Sequence, residues 1–281
     1  MLPKNEKRIV IKSSRVKLWL YGAPFSGKTT LADQFPDALM LNTDGNLNTF
    51  TSPVVEIKER LDGREVVDTW TVFNETISEL QQGSEFKTIV VDLVEDCFDA
   101  CRKFCYKKLK IEHESDSGFG KGYDVVRTEF LTTMKRLLTL DYNIVLISHE
   151  DMSKDITKKS GDKITSIRPN IQDKVANKLA GMVDIVARVI ADDDRRTLNF
   201  KSDDVVFGGG RLKLTKTRIP LTYEDLMSVY NVESDEVETE TVATESKEVE
   251  TVETKEVENE EPTRRRRRRR VEEVENENTP F

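Results

Sequence analysis

Residues 22–30 read Gly-Ala-Pro-Phe-Ser-Gly-Lys-Thr-Thr, a complete match to the spacing G-x-x-x-x-G-K-[ST], and they follow directly on the apolar run of residues 16–21. No other feature restricts the fold of this chain as much. Glycines at this spacing let the backbone curl so tightly that successive N–H groups converge on one point, a geometry that holds phosphate oxygens. Lys28 then reaches the terminal phosphates and Thr29 presents its hydroxyl to Mg2+. Gly22, Ala23, Pro24, Phe25, Ser26, Gly27, Lys28, Thr29 and Thr30 are therefore the expected binding loop for ATP with Mg2+. A strand before the loop and helical spacing over residues 29–35 after it complete a strand-loop-helix unit whose helix dipole faces the anion.

The rest of the first 230 residues continues in an α/β rhythm. Apolar runs at 38–41, 88–91, 143–148 and 184–191 read as buried strands, and residues 73–82, 95–111 and 123–140 carry apolar positions at three and four spacing, as crossover helices do. A central, mainly parallel sheet flanked by helices is expected. Beyond it, residues 196–202 and 211–218 read as short extended pieces separated by turns at Asp192-Asp193-Asp194 and Gly208-Gly209-Gly210, an antiparallel edge.

Composition divides the chain at residue 231. Residues 231–281 hold 17 acidic side chains against 2 Lys and 7 Arg, a net −8 that equals the charge of all 281 residues. Residues 1–230, the expected ATPase domain, are thus neutral on average and free to carry local basic loops. The tail has few aromatics and repeats Glu, Val and Thr without useful periodicity, so disorder is expected. Within it, residues 264–270 are all arginine, either a polyanion contact or a solvated block neutralised by the flanking glutamates. Cys97, Cys101 and Cys105 share one helical face and read as packed, reduced thiols of a cytoplasmic protein; their spacing matches no usual zinc pattern. Neither a secretory signal nor a membrane-length apolar run is seen.

Three strand ends supply the remaining chemistry. Residues 88–91 are followed by Asp92, the expected carboxylate on the Mg2+ side, with Glu95 or Asp96 as alternatives. Asp44 follows the strand at 38–41 and stands where ligands bind in open α/β sheets; it is either the group that positions the attacking water or a turn aspartate before Gly45. His149 ends the run at 143–148, as a sensor of the γ-phosphate or as a packing histidine.

These elements, in this order, resemble the RecA-like recombination ATPases, and most closely the small phage-encoded members associated with single-strand annealing, over roughly residues 12–225. The resemblance implies a RecA-like P-loop fold and an ATPase of a phage acting in its host's cytoplasm. It also implies that Asp44 activates water and that His149, where RecA itself carries glutamine, senses the γ-phosphate. Lys216 and Arg218, in Lys-Thr-Arg, match the two basic residues that reach a neighbouring subunit's ATP, which implies a homo-oligomer; a solvated edge strand is the plainer alternative. Single-stranded DNA is the implied partner, held by the loop bearing Lys154, Lys158, Lys159, Lys163 and Arg168, with Phe119 and Tyr123 as stacking or packing aromatics. The terminal Pro280-Phe281 after acidic residues looks like the tip of bacterial single-stranded-DNA-binding proteins, which docks on replication and repair partners. Beside the recombination reading stand a helicase loader of the AAA type and an ATP-dependent interaction switch with little turnover.

Overall fold

The computed structural model describes residues 15–230 apart from 119, 154, 158–160, 162, 194, 204 and 213. The described residues belong to one compact unit. The acidic tail with its arginine run and Phe281, and with them Lys154, Lys158, Lys159 and Phe119, lie outside the described residues.

Strand β1 (Lys17–Gly22) leads through the phosphate loop into a short helix α1 (Lys28–Ala32), then β2 (Ala38–Asn42), β3 (Val54–Glu56) and a hairpin of β4 (Arg60–Asp62) and β5 (Glu65–Val67). Helix α2 (Thr69–Gln81), β6 (Thr88–Asp92), α3 (Val94–Leu109), a single 3-10 turn (Glu114–Ser117), α4 (Lys121–Leu138) and β7 (Asn143–Asp151) follow. A second hairpin, β8 (Asp155–Thr157) with β9 (Lys163–Thr165), precedes β10 (Arg168–Pro169), α5 (Asp173–Ala180), β11 (Ile185–Asp192), β12 (Arg195–Asn199), β13 (Gly209–Gly210) and β14 (Arg218–Pro220).

The main sheet has the order β14-β12-β11-β1-β7-β6-β2-β3, parallel from β11 to β3 and antiparallel at the β12 and β14 edge. The mainly parallel sheet flanked by helices is therefore present, with the antiparallel edge. Its inner strands are buried along nearly their whole length because both faces are covered. Strand alternation divides the core accordingly. Trp19, Tyr21, Leu41, Val91 and Leu146 pack on the side of α2, α3, α4 and α5, whereas Leu18, Leu20, Met40, Val90 and Ile147 pack with Leu31, Phe35 and Leu226. The three cysteines line the buried face of α3, where burial pushes the Cys97 thiol up.

Two expectations are corrected. Helical spacing over residues 29–35 gives a helix only as far as Ala32, because the Asp33 carboxylate leaves the helix to accept backbone N–H groups of Thr51 and Ser52 at 3.0 Å each, and Pro36 follows. The piece expected to be extended over 211–218 joins a strand only at Arg218, and Gly208-Gly209-Gly210 is no simple turn. Gly209 and Gly210 pair with Val186 and Ile185 instead, and a Cβ on Gly210 would stand 2.7 Å from the Asp184 carbonyl oxygen. The close pairing uses the glycines, so the chain after them runs irregularly before it returns to β12.

Candidate nucleotide site

Register brings the strand ends together. Gly22 of β1 lies beside His149 of β7, and Asp92 of β6 lies beside Ile147 of β7 and Asn42 of β2. The carboxyl edge of the sheet thus gathers the loop, Asp92, His149 and the turn carrying Asp44. Around them opens a cavity of about 460 Å³, walled by Pro24 through Thr30 and by Asp44, Asn46, Thr49, Asp92, Leu93, His149 and Arg196.

The loop conformation explains its residues. A Cβ on Gly22 would stand 2.4 Å from the Val189 carbonyl oxygen, so only glycine lets β1 and β11 close at that point. Gly27 has φ 99°, the left-handed region in which glycine is at no disadvantage. Phe25 also has positive φ, 64°, and its ring is 93% exposed at the mouth of the cavity. Lys28 is buried and donates from Nζ to the carbonyls of Gly22 at 3.0 Å and Ala23 at 2.8 Å. Burial lowers its pKa, and the charges of Asp92, Glu95 and Glu150 work in the opposite direction.

Thr29 and Asp92 sit side by side, with the Thr29 hydroxyl donating to Asp92 Oδ2 at 2.8 Å. Burial and the neighbouring Asp44 raise the Asp92 pKa to about 6 against the opposing effects of Thr29 and Lys28. A buried carboxylate held so poorly by its own protein surroundings, beside a hydroxyl, is a hard oxygen pair that a divalent cation would complete. These residues fit Mg2+.

Of the alternatives to Asp92, Asp96 is turned aside. It accepts from Thr43 Oγ1 at 2.9 Å, and Thr43 in turn accepts from the Leu93 backbone at 2.8 Å, which braces the corner after β6. Burial raises its pKa. Glu95 instead engages His149: its Oε1 accepts from the His149 backbone N–H at 2.7 Å and lies 3.0 Å from Nδ1. Asp44 is exposed on the cavity wall, and its Oδ1 accepts from Asn42 Nδ2 and Asn46 N, each at 2.8 Å, in a turn closed by Gly45.

The cationic residues fall elsewhere. Lys216 and Arg218 are exposed and border none of the nucleotide cavity of their own chain; Arg218 lies 3.9 Å from Asp192. The extended piece expected to carry both is not present, because only Arg218 belongs to β14. Lys163 is exposed on β9. Arg168, by contrast, pairs with Asp173 at 2.9 Å and lies over the Phe207 ring at 5.8 Å, so packing occupies its guanidinium. Tyr123 meets His113 edge to face at 6.0 Å. Arg196 was not assigned to the site from sequence. It reaches the loop because β12 folds back antiparallel to β11, and its side chain passes about 3.3 Å from where a Gly27 Cβ would stand.

No helix among the described residues is long and apolar enough to cross a membrane. No curated protein matches the sequence. Among solved structures, a KaiC-like protein of the hyperthermophilic archaeon Pyrococcus horikoshii OT3 is similar at 12% identity over 73% of this chain and 84% of its own, with a TM-score of 0.35. The model of an AAA domain family matches residues 14–212, well over half of the sequence and the whole of the cavity just described. With its phosphate loop, its Thr29 and Asp92 pair and this match, the chain belongs to that AAA domain family of P-loop ATPases.

Proposed function

We propose that the protein is a DNA-stimulated ATPase that binds single-stranded DNA as a homo-oligomer and uses ATP to switch that binding during phage recombination. The observation that carries this reading is the continuity of β7. The strand that sets His149 at the cavity runs on to Asp151 and leads directly into the β8 and β9 hairpin, and β10 folds back to pair with Asp151 and Glu150. A change at the phosphates would therefore reach the hairpin that bears the exposed Lys163 through one short stretch of backbone. The exposed Lys216 and Arg218 support an oligomer, since both lie on the surface and neither borders the nucleotide cavity of its own chain. ATP turnover is expected to rise when single-stranded DNA is added at low salt and to fall again at moderate salt. No stimulation, with nucleotide binding intact, would refute the DNA reading.

A second reading, a partner-controlled switch with little turnover, is favoured by one feature. Asp44 is already held by Asn42 and the Asn46 backbone, so its carboxylate would have to leave that turn to position water. A single-turnover rate that stays slow with DNA present would select it.

A further inference from the structure

Glu95 stands in the first turn of α3, where an acidic residue often serves only to complement the helix dipole. Its contacts go beyond that. One oxygen, Oε1, receives both the backbone N–H of His149 at 2.7 Å and the ring Nδ1 at 3.0 Å, so a single atom fixes the residue and its imidazole together. The other oxygen, Oε2, is buried and has no hydrogen-bond partner among the described residues. The same carboxylate is close enough to Lys28 and Asp92 to act on the charge of both. From the opposite side, the His149 carbonyl accepts the Asn170 backbone N–H at 2.9 Å, next to the β10 pairing that closes the hairpin.

We propose that Glu95 is the positioning residue of this site: it locks the His149 ring with Nδ1 as donor, so that Nε2 is the atom offered to the terminal phosphate of bound ATP. A carboxylate can only accept, so the contact at Oε1 requires hydrogen on Nδ1 and dictates which ring nitrogen is left over. The arrangement parallels the carboxylates that orient functional histidines in metal sites, where the partner sets both tautomer and ring plane. Fixing ring and backbone through one oxygen also means that a shift of the ring toward phosphate is felt by the backbone that roots the hairpin. The inference rests on the reading of this cavity as a site of ATP hydrolysis.

The chain has two histidines, His113 and His149, so ¹⁵N-labelled histidine in the full-length protein gives a spectrum simple enough to read, with His113→Gln as the assignment control. The wild type is expected to show His149 protonated at Nδ1, and a Mg2+-bound non-hydrolysable ATP analogue to shift Nε2 more than ADP does. In Glu95→Ala both signatures should vanish. Turnover in that variant should fall about ten- to a hundredfold, the usual cost of losing the partner that orients a functional histidine, with affinity for the analogue within about threefold of wild type. Glu95→Gln, whose amide oxygen can accept from the same two donors, should recover most of the loss. Should Glu95→Ala not fold, Glu95→Asp, too short to reach both donors, replaces it. A wild-type spectrum with Nδ1 unprotonated, or turnover unchanged in Glu95→Ala and Glu95→Asp, would overturn the proposal. A wild type without turnover would instead refute the hydrolysis reading, and the tautomer would still decide the role of Glu95.

Discussion

Replacing Asp92 by asparagine should make the nucleotide-free protein more stable and remove its Mg2+-dependent activity. Asp92 is 3% exposed, and its pKa rises from 3.8 to about 6 through burial and Asp44. That rise corresponds to about 3 kcal/mol, which is the expected upper size of the effect. The sign follows from proton binding. Between pH 4 and 6 the unfolded chain has already released the Asp92 proton while the folded chain keeps it, so the folded state binds more protons and stability falls as pH rises. The cost is absent below about pH 4 and complete above about pH 6. Asparagine carries no charge and keeps an acceptor for the Thr29 hydroxyl at the position that now receives it at 2.8 Å.

Urea unfolding of wild type and Asp92→Asn across pH 4 to 7.5, without nucleotide or metal, reads the difference directly. The variant should match wild type at pH 4 and exceed it by up to about 3 kcal/mol at pH 7.5. Adding a non-hydrolysable ATP analogue with Mg2+ at about a hundredfold over its dissociation constant should raise wild-type stability by about 2.7 kcal/mol. Asp92→Asn should lose the Mg2+-dependent part of that gain. A stability difference that does not change with pH, or a wild type more stable than the variant at pH 7.5, would refute the reasoning that Asp92 is a strained carboxylate awaiting a cation.

Other perturbations have equally definite outcomes. Glu114 is buried, and although burial opposes its ionisation, the hydrogen-bonded Arg102 guanidinium holds its pKa at about 2. Its contribution is therefore complete above about pH 4.5 and lost as pH falls toward 2, so Glu114→Gln should cost about 2 kcal/mol at pH 7 and little at pH 2, measured by denaturant melts. Lys216→Ala should lower turnover with little change in nucleotide affinity, and mixing it with Asp44→Ala should restore part of the activity if the cation acts on a neighbouring subunit; a mixture no more active than its components would refute action in trans.

The sheet and the phosphate loop were legible because they are governed by local signals. Buried strands at 38–41, 88–91 and 143–148 announce themselves by unbroken apolar residues, and they occur as β2, β6 and β7 within three residues of those bounds. Helix α2 begins at Thr69 rather than 73 because Asp68 accepts from the Thr71 backbone N–H, a cap that the apolar spacing alone does not mark. The two hairpins were missed for a different reason. Their residues are largely exposed, as at Leu61 and Val66, and each strand is only three residues long, too short for an alternation such as Lys163-Ile164-Thr165 to stand out from a loop. The contact of Glu95 with His149 spans 54 positions of sequence and depends on how α3 leaves the sheet, information that no periodicity carries.

The strand order has a direct consequence for His149. With β7 inserted between β1 and β6, its register to both is fixed, and a residue two positions beyond Ile147 must stand between the loop and the Asp92 strand. Whatever side chain occupies that position borders the cavity of the phosphate loop. A histidine there has two ring nitrogens, and an acceptor at one of them decides which is left to face the cavity. An orienting acceptor must come from outside β7, and the neighbouring parallel strand β6 feeds a helix whose first turn rises over the same edge. The Glu95 carboxylate in that turn is such an acceptor, 3.0 Å from Nδ1 of His149.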